Sequence, residues 1–315
     1  MPAPLPSIAE ALVTDLLGSR TSVALSTPGR TPTDRAGLAG QIEYTIACLR
    51  TVGLRPDSRV AVVLPGGPEL AAALLGVAAA TRCAPINPRA TAEEIAFVLR
   101  DVAADAVIVP EQGHRAAQDA AAVAGCAILT LEAAGAAGRF VLSHDGAVIQ
   151  PGDAGDTDSV TGSDPIALLL HTSGTTARPK LVALRHAQLL DSARAVARSL
   201  QLTPADRSLV VMPMFHVHGI VAALLAPLLS GGEVVVPVGF AGADLPALLH
   251  DTGATWLTAV PTILQGLLQQ CERQPVAHSL RVVRACSSAL PATVADGLER
   301  HLGVPVVEAY GMTEG

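Results

Sequence analysis

A segment rich in hydroxyl side chains carries the clearest sign of chemistry in this sequence. After the apolar run 168–170 come four hydroxyl residues around a glycine, and then a lysine: Thr172, Ser173, Gly174, Thr175, Thr176 and Lys180. Hydroxyls and backbone N–H groups of a turn can donate hydrogen bonds to phosphate oxygens, a glycine lets the backbone approach closely, and a lysine supplies positive charge. The segment therefore predicts a site for a polyphosphate.

The spacing of this segment is not that of the Walker A loop. That loop needs Gly-x-x-x-x-Gly-Lys-Ser/Thr, whereas here Ala177 and Leu181 flank the run Arg178-Pro179-Lys180. By composition alone, a Ser, Thr and Gly cluster after a strand is equally typical of an ordinary turn. Both interpretations stay open until the rest of the chain is considered.

Two histidines follow a strand-like run at 208–212. His216 and His218 are two residues apart, which would place them on one face of a strand, but the segment 211–219 contains no Cys, Asp or Glu. A zinc site is therefore not favoured. An imidazole can donate a hydrogen bond to a bound carboxylate, while a histidine in this setting is equally compatible with a structural role.

Two further segments of small and polar residues follow strand-like runs. The first covers 284–291 and contains Ser287 and Ser288, and the second is 308–315, which ends the chain. On their own, the first is equally consistent with a tight strand-to-helix turn, and the second is too short to indicate a function.

Composition narrows the class of protein. The chain has 315 residues, of which 50% are hydrophobic and 16% charged, so a large core is available. The net charge of −7 argues against a nucleic-acid partner. The most apolar run, 220–229, is too short to span a membrane. Five scattered cysteines and no visible signal peptide predict reduced thiols and a cytoplasmic location.

Strand-like and helix-like runs alternate along the chain, which predicts an α/β fold with a mostly parallel sheet. We expect strands at 58–64, 106–109, 208–212, 233–237, 255–260, 280–284 and 304–308, helices at 69–80, 91–102, 188–200 and 292–302, and a loop at 84–88. The polar stretch 145–164 predicts an exposed linker. We therefore expect a first α/β subdomain at 1–164 and a second, with the phosphate loop, at 165–315.

The four segments together resemble the adenylate-forming enzymes, namely acyl-CoA synthetases, luciferases and adenylation domains of peptide synthetases. Their phosphate signature is close to Tyr-Thr-Ser-Gly-Thr-Thr-Gly-x-Pro-Lys-Gly, and they carry Pro-x-Phe-His, Gly-Ala-Ala-Pro-like and Tyr-Gly-x-Thr-Glu segments in the same order. The variants Leu-His-Thr-Ser-Gly-Thr-Thr, Phe-His-Val-His-Gly and Cys-Ser-Ser look like the oxalate–CoA ligase group. The fold implied is the large N-terminal domain of such an enzyme, with stacked, mostly parallel sheets and helices between them.

The resemblance also implies roles for individual residues. Catalytic roles fall to His216, Lys180 and Thr313, Mg²⁺ binding to Glu314, and contacts with a small carboxylate to His216, His218 and Ser287. The implied nucleotide site comprises Thr172, Ser173, Gly174, Thr175, Thr176, Ala177, Arg178, Pro179, Lys180, Ser287, Ser288, Ala289, Glu308, Ala309, Tyr310, Gly311, Met312 and Thr313.

The reaction implied is ATP-dependent activation of a carboxylate to an acyl-adenylate, with CoA, or the thiol of a carrier protein, as the acceptor. Full-length members continue beyond the position of Gly315 into a small lid domain, so we expect the C-terminal lid domain to be absent here. It could have been removed, never encoded, or supplied as a separate chain. The alternative functions are an adenylation partner of a carrier protein and a truncated, catalytically weak nucleotide-binding or interaction protein.

Overall fold

The computed structural model describes Ile8 and residues 21–152, 166–172 and 179–314. Within these residues the helices are α1 (Arg35–Thr51), α2 (Pro68–Ala80), α3 (Ala92–Asp101), α4 (Arg115–Ala124), α5 (His186–Ser199), α6 (Ala226–Leu229), α7 (Leu245–Thr252), α8 (Pro261–Arg273) and α9 (Ala292–Leu302). A π-helix, His218–Leu225, leads directly into α6, and a 3₁₀ turn, Gly242–Asp244, precedes α7.

The strands form two sheets. They are β1 (Val23–Ser26), β2 (Thr33–Asp34), β3 (Arg59–Val62), β4 (Arg82–Pro85), β5 (Ala106–Pro110), β6 (Ala127–Ala133), β7 (Phe140–His144), β8 (Ala147–Val148), β9 (Ile166–His171), β10 (Leu181–Arg185), β11 (Arg207–Val210), β12 (Glu233–Val235), β13 (Trp256–Ala259), β14 (Val282–Ala285) and β15 (Val306–Glu308). One sheet has the order β10-β9-β4-β3-β5-β6-β7-β8, and the other β15-β14-β13-β11-β12-β1-β2.

The predicted α/β class is confirmed, and both sheets are parallel through their centres. The sheet that begins with β10 is antiparallel at both margins, whereas the sheet that contains β15 is antiparallel only where β1 pairs with β2. One detail shows how local sequence places an element. Thr91 accepts a hydrogen bond from the Glu94 backbone N–H, and the Glu94 side chain accepts from the Thr91 N–H, which is the predicted capping box at the start of α3.

Two sequence expectations need correction. The loop expected at 84–88 is wrong for Ala84 and Pro85, which lie in β4; the proline is tolerated because it ends the strand. The linker expected from residue 145 is wrong at its start. Asp145 and Gly146 both have positive φ, at 51° and 75°, and form the tight turn between β7 and β8. Residues 153–164 of that linker lie outside the described residues.

Each sheet contains strands from both halves of the chain. β1 and β2 pair within the sheet built otherwise from residues after 206, whereas β9 and β10 join the sheet built from residues 59–148. The division into 1–164 and 165–315 stays a prediction.

The main buried cluster contains residues of α1, α2 and the π-helix together with strands of both sheets, so these helices lie in the core between the sheets.

The sheet that ends in β15 carries most of the segments singled out in the sequence. Leu209, Leu257 and Val283 form one apolar face of it and pack in a second cluster with residues of α7, α8 and α9. Because β11, β13, β14 and β15 are parallel, their carboxyl ends lie at one edge. Loops that leave this edge are positioned to share a site.

Candidate functional site

Three of the four segments singled out in the sequence leave the same edge of one sheet. The histidine segment follows β11, Ser287 follows β14, and the terminal segment 309–314 follows β15. β13 lies between β11 and β14 and contributes Thr258 near its end. The carboxyl edge of these four strands is therefore the candidate site.

A tight turn places the histidines. His216 donates its backbone N–H to the carbonyl of Pro213 at 3.3 Å, and Ile220 donates to the carbonyl of His216 at 3.2 Å. A Cβ at Gly219 would overlap the Pro213 carbonyl, with the carbonyl carbon only 2.9 Å away. Only glycine fits this approach, and the turn leaves His218 as the first residue of the buried π-helix.

His218 is almost fully buried, at 8% exposure, and both of its ring nitrogens contact hydroxyl groups. Nδ1 lies 3.0 Å from Ser287 Oγ, and Nε2 lies 2.6 Å from Thr258 Oγ1. Burial lowers the pKa of His218 to about 4, and the positive charges of Arg284 and His216 act in the same direction. The ring is therefore neutral at physiological pH. It contacts Ser287, which is itself exposed at the edge of the sheet.

His216 differs from His218 in its surroundings. Its side chain is exposed, and its ring stacks obliquely on Phe215, with 4.5 Å between centroids and 56° between planes. The protein atoms around the ring still desolvate it enough to lower its pKa. An exposed imidazole at this edge is accessible to a ligand. Its contact with substrate stays a prediction.

Ser287 has a strained backbone. Its φ is +78°, a conformation that L-residues other than glycine and asparagine seldom adopt, and the side chain is held by His218. The flanking backbone is tied to β15, because Glu308 accepts a hydrogen bond from the Leu290 N–H at 2.8 Å and Ala309 donates to the Ala285 carbonyl at 2.9 Å. Such strain at a non-glycine residue is typical of functional sites.

The terminal segment presents its side chains to solvent. Tyr310 is 91% exposed and Met312 53% exposed, and Gly311 and Glu314 are also exposed, while Thr313 is partly buried. Ser288 and Ala289 are exposed on the neighbouring loop. The accessible ring of Tyr310 could stack on a planar ligand, and these small residues could lie against it.

The phosphate segment is described only at its two ends. Thr172 donates its backbone N–H to the carbonyl of Lys180 at 2.9 Å, which extends the antiparallel pairing of β9 and β10. Pro179 and Lys180 are exposed. Six predicted nucleotide contacts lie outside the described residues: Ser173, Gly174, Thr175, Thr176, Ala177 and Arg178.

Sequence reasoning missed several residues next to the predicted ones. Thr258 and Arg284 both contact the His218 cluster, and the signals available were a hydroxyl and a charge inside otherwise apolar strands. His171 Nε2 lies 2.8 Å from Asp101 Oδ2, beside the ring of Phe97, directly before the phosphate segment. Nothing in the local pattern indicates that contact, because Asp101 is 70 residues away.

The described residues contain no group of three or more His, Cys, Asp or Glu side chains that could hold a metal ion. Glu314 is a single exposed carboxylate. That arrangement fits Mg²⁺, which binds proteins through one or two carboxylates and takes its other ligands from substrate phosphates and water. Across the same residues, no helix combines the length and apolarity needed to cross a membrane.

Comparison with known proteins identifies one matching family and relatives that are named CoA ligases. The family described as AMP-binding enzyme matches residues 36–315. Oxalate–CoA ligase of Arabidopsis thaliana is 35% identical over 305 residues, which are 92% of this chain and 57% of the relative. Sulfoacetate–CoA ligase of Cupriavidus necator is 34% identical over 266 residues, 83% of this chain and 50% of the relative. The chain thus spans about half the length of the curated relatives it matches.

Solved structures share the fold. The anthranilate CoA ligase AuaEII in complex with anthranoyl-AMP superposes with a TM-score of 0.86 at 20% identity, covering 98% of this chain and 61% of that one. Similarity at this identity concerns the arrangement of strands and helices, and it extends over nearly all of the chain.

Proposed function

The chain belongs to the AMP-binding enzyme family, as its motifs predict, and on that basis we propose that it takes part in ATP-dependent activation of a carboxylate to an acyl-adenylate, followed by transfer to CoA. The observation that carries the proposal is the convergence of the histidine segment, the Ser287 segment and the 309–314 segment at one edge of parallel strands. Two of the named relatives of this chain are CoA ligases.

In this reaction a carboxylate oxygen bonds to the α-phosphorus of ATP, and the bond from that phosphorus to the bridging oxygen breaks, releasing pyrophosphate. The thiol sulfur of the acceptor then attacks the acyl carbon, and AMP leaves with the mixed-anhydride oxygen. The first step depends on charge neutralisation and alignment. We assign neutralisation of the β- and γ-phosphates to Lys180 and the hydroxyl segment, and contact with the α-phosphate to Thr313.

The remaining proposed roles come from the family resemblance, and the exposure of these residues supports them. Tyr310, with its ring open to solvent, stacks on the adenine, and Ser288 and Ala289 lie against it. Glu314 holds Mg²⁺, which when bound supplies positive charge next to the phosphates. His216, exposed at the strand edge, donates a hydrogen bond to the carboxylate that is being activated.

We further propose a small dicarboxylate such as oxalate as the substrate. The support is chemical, because the edge is lined by Ser287, His216 and the polar cluster behind Ser287, where a fatty-acid pocket would be apolar. Two relatives of about 35% identity bear the names oxalate–CoA ligase and sulfoacetate–CoA ligase, both of which denote small dianions.

Pyrophosphate release tests the proposal. The purified chain is assayed with ATP, Mg²⁺ and a panel of oxalate, malonate, acetate and a long-chain fatty acid. Each assay is run with the chain alone and with the C-terminal portion of the Arabidopsis oxalate–CoA ligase supplied separately. We expect pyrophosphate release with the small dianions in at least the supplemented assay.

The controls separate the alternatives. A matched assay without carboxylate measures simple ATP hydrolysis. ATP binding without pyrophosphate release under both conditions would replace the ligase function with that of a nucleotide-binding protein. Activity with the fatty acid and none with oxalate or malonate would retain the ligase function and overturn the dicarboxylate substrate. A carrier-protein thiol in place of CoA, added after adenylation, identifies the acceptor.

A further inference from the structure

Resting on the proposed function, we propose that Arg284, Thr258 and His218 form a directed hydrogen-bond relay that presents the Ser287 hydroxyl as a donor to a second acidic group of the substrate. Arg284 supplies the compensating positive charge. The relay makes Arg284 and Thr258 positioning and specificity residues for the carboxylate site.

The sheet brings the first two members together. Thr258 and Arg284 are register partners on the adjacent parallel strands β13 and β14. Partners in register point to the same side of a sheet, so their side chains are neighbours. Arg284 Nη1 accordingly donates to Thr258 Oγ1 at 3.0 Å. His218 approaches the same side from the π-helix and places Nε2 2.6 Å from that hydroxyl.

The direction of the relay follows from what each group can donate. Arg284 Nη1 also lies 3.4 Å from His218 Nε2, and a guanidinium nitrogen only donates. A proton on Nε2 would therefore point at the donor group of Arg284. Nε2 must instead be the hydrogen-bond acceptor, so the single proton of the neutral ring is on Nδ1. The Thr258 hydroxyl accepts from Arg284 and donates to Nε2.

The end of the relay is Ser287. Its Oγ lies 3.0 Å from Nδ1 of His218 and accepts a hydrogen bond from the Nδ1–H group. The hydroxyl proton of Ser287 must then point to a third group, and the residue is exposed at the strand edge. The strained φ of +78° holds this side chain where the relay ends. The site thus offers a donor whose orientation is set from within the core.

The charge of Arg284 indicates what kind of ligand group the Ser287 hydroxyl binds. Three other arginines in the described structure pair with a carboxylate: Arg281 with Asp206, Arg207 with Glu233 and Arg30 with Glu69. Arg139 instead donates to a backbone carbonyl. Arg284 is partly buried, and no described Asp or Glu lies within 4.0 Å of its guanidinium. A partly desolvated cation favours an anionic partner. The ligand class is a small acid that carries a second carboxylate or a sulfonate, such as oxalate, malonate or sulfoacetate.

The test measures selectivity. Dissociation constants of malonate, sulfoacetate and acetate are measured calorimetrically on the 315-residue chain, with and without ATP and Mg²⁺. We expect the wild type to bind malonate or sulfoacetate with a dissociation constant at least tenfold lower than that of acetate. Whichever of these two dianions binds more tightly shows whether the second acidic group is a carboxylate or a sulfonate. Arg284→Met and Thr258→Val should each reduce this preference at least fivefold, with ATP affinity within twofold. Arg115→Met, at a side chain 91% exposed on α4, is the charge-matched control.

Ser287→Gly distinguishes a relay from a structural role. Glycine relieves the positive φ, so this variant should melt at a higher temperature than the wild type and yet lose the dianion preference. The ¹⁵N shifts of His218 provide a second readout, with the proton on Nδ1 in the wild type. A dianion preference unchanged in Arg284→Met and Ser287→Gly, or a proton on Nε2, would overturn the relay. Dianion selectivity without ATP binding would retain the relay and contradict the ligase function.

Discussion

Asp206 and Arg281 form a two-point ion pair at the edge of the sheet opposite the candidate site, with 2.6 Å from Nε to Oδ1 and 2.9 Å from Nη2 to Oδ2. Asp206 directly precedes β11 and Arg281 directly precedes β14. Burial acts to raise the pKa of Asp206, but hydrogen bonds from Arg281, the Thr203 backbone and Thr255 outweigh it and hold that pKa below its ordinary value. This pair fixes the amino ends of strands whose carboxyl ends form the site.

Removing the arginine should destabilise the fold. Arg281→Met leaves the Asp206 carboxylate, whose side chain is 5% exposed, without its main partner. The expected loss in unfolding free energy is about 2–3 kcal/mol, below the range for fully buried pairs because the Arg281 side chain is 39% exposed. Urea denaturation measures it. Asp206→Asn combined with Arg281→Met should recover part of the loss, and strictly additive losses would contradict the coupling.

The turn at Gly219 should tolerate no side chain. In Gly219→Ala the new Cβ meets the backbone of Met212 and Pro213, which no rotamer change can relieve. We expect a loss of about 2–3 kcal/mol in unfolding free energy. Gly40→Ala is the matched control, because this glycine lies within α1 with no atom within 4 Å of the added Cβ. It should gain up to about 1 kcal/mol. Equal effects of the two substitutions would contradict the steric argument.

His218 should make stability depend on pH. Its folded pKa of about 4 lies below the ordinary histidine value of about 6.5, so between these values the unfolded chain binds the proton more readily. The unfolding free energy should therefore fall as pH drops from about 6.5 to about 4, by about 3 kcal/mol in total from this residue. The measurement is the difference in pH slope between the wild type and His218→Gln. Identical slopes in this window would show that the ring is not held neutral.

Glu314 should govern the Mg²⁺ dependence of adenylation. Glu314→Gln keeps the shape of the side chain and removes the charge that a hard cation prefers. We expect pyrophosphate release to fall about a hundredfold or more at low Mg²⁺, in the form of the protein that is active in the assay described above. Glu272→Gln, at an exposed residue of α8, is the control. A rate equal to that of the wild type across a Mg²⁺ titration would remove Glu314 from the metal site.

Local sequence predicted elements well where a short pattern carries the information. The capping box at Thr91 and Glu94 and the strand at β5 depend on residues within a few positions of one another. The prediction was wrong at 84–85, where a proline suggests a loop but pairing with the distant strand β3 dominates, because a local pattern does not contain the neighbouring strand. It was also wrong at 145–148, where polar residues suggest a linker but form a hairpin turn and the strand β8 that pairs with the adjacent β7.

The sequence by itself determined the family and the order of its motifs, because each motif is a contiguous run of residues that can be recognised without the fold. Only the tertiary structure decided that Thr258, His218 and Arg284 meet, since they lie 26 to 66 residues apart. Their contact depends on β13 lying between β11 and β14. The physical reason is that strand order and register result from packing of the whole sheet, and these place the three buried or partly buried polar side chains beside one another.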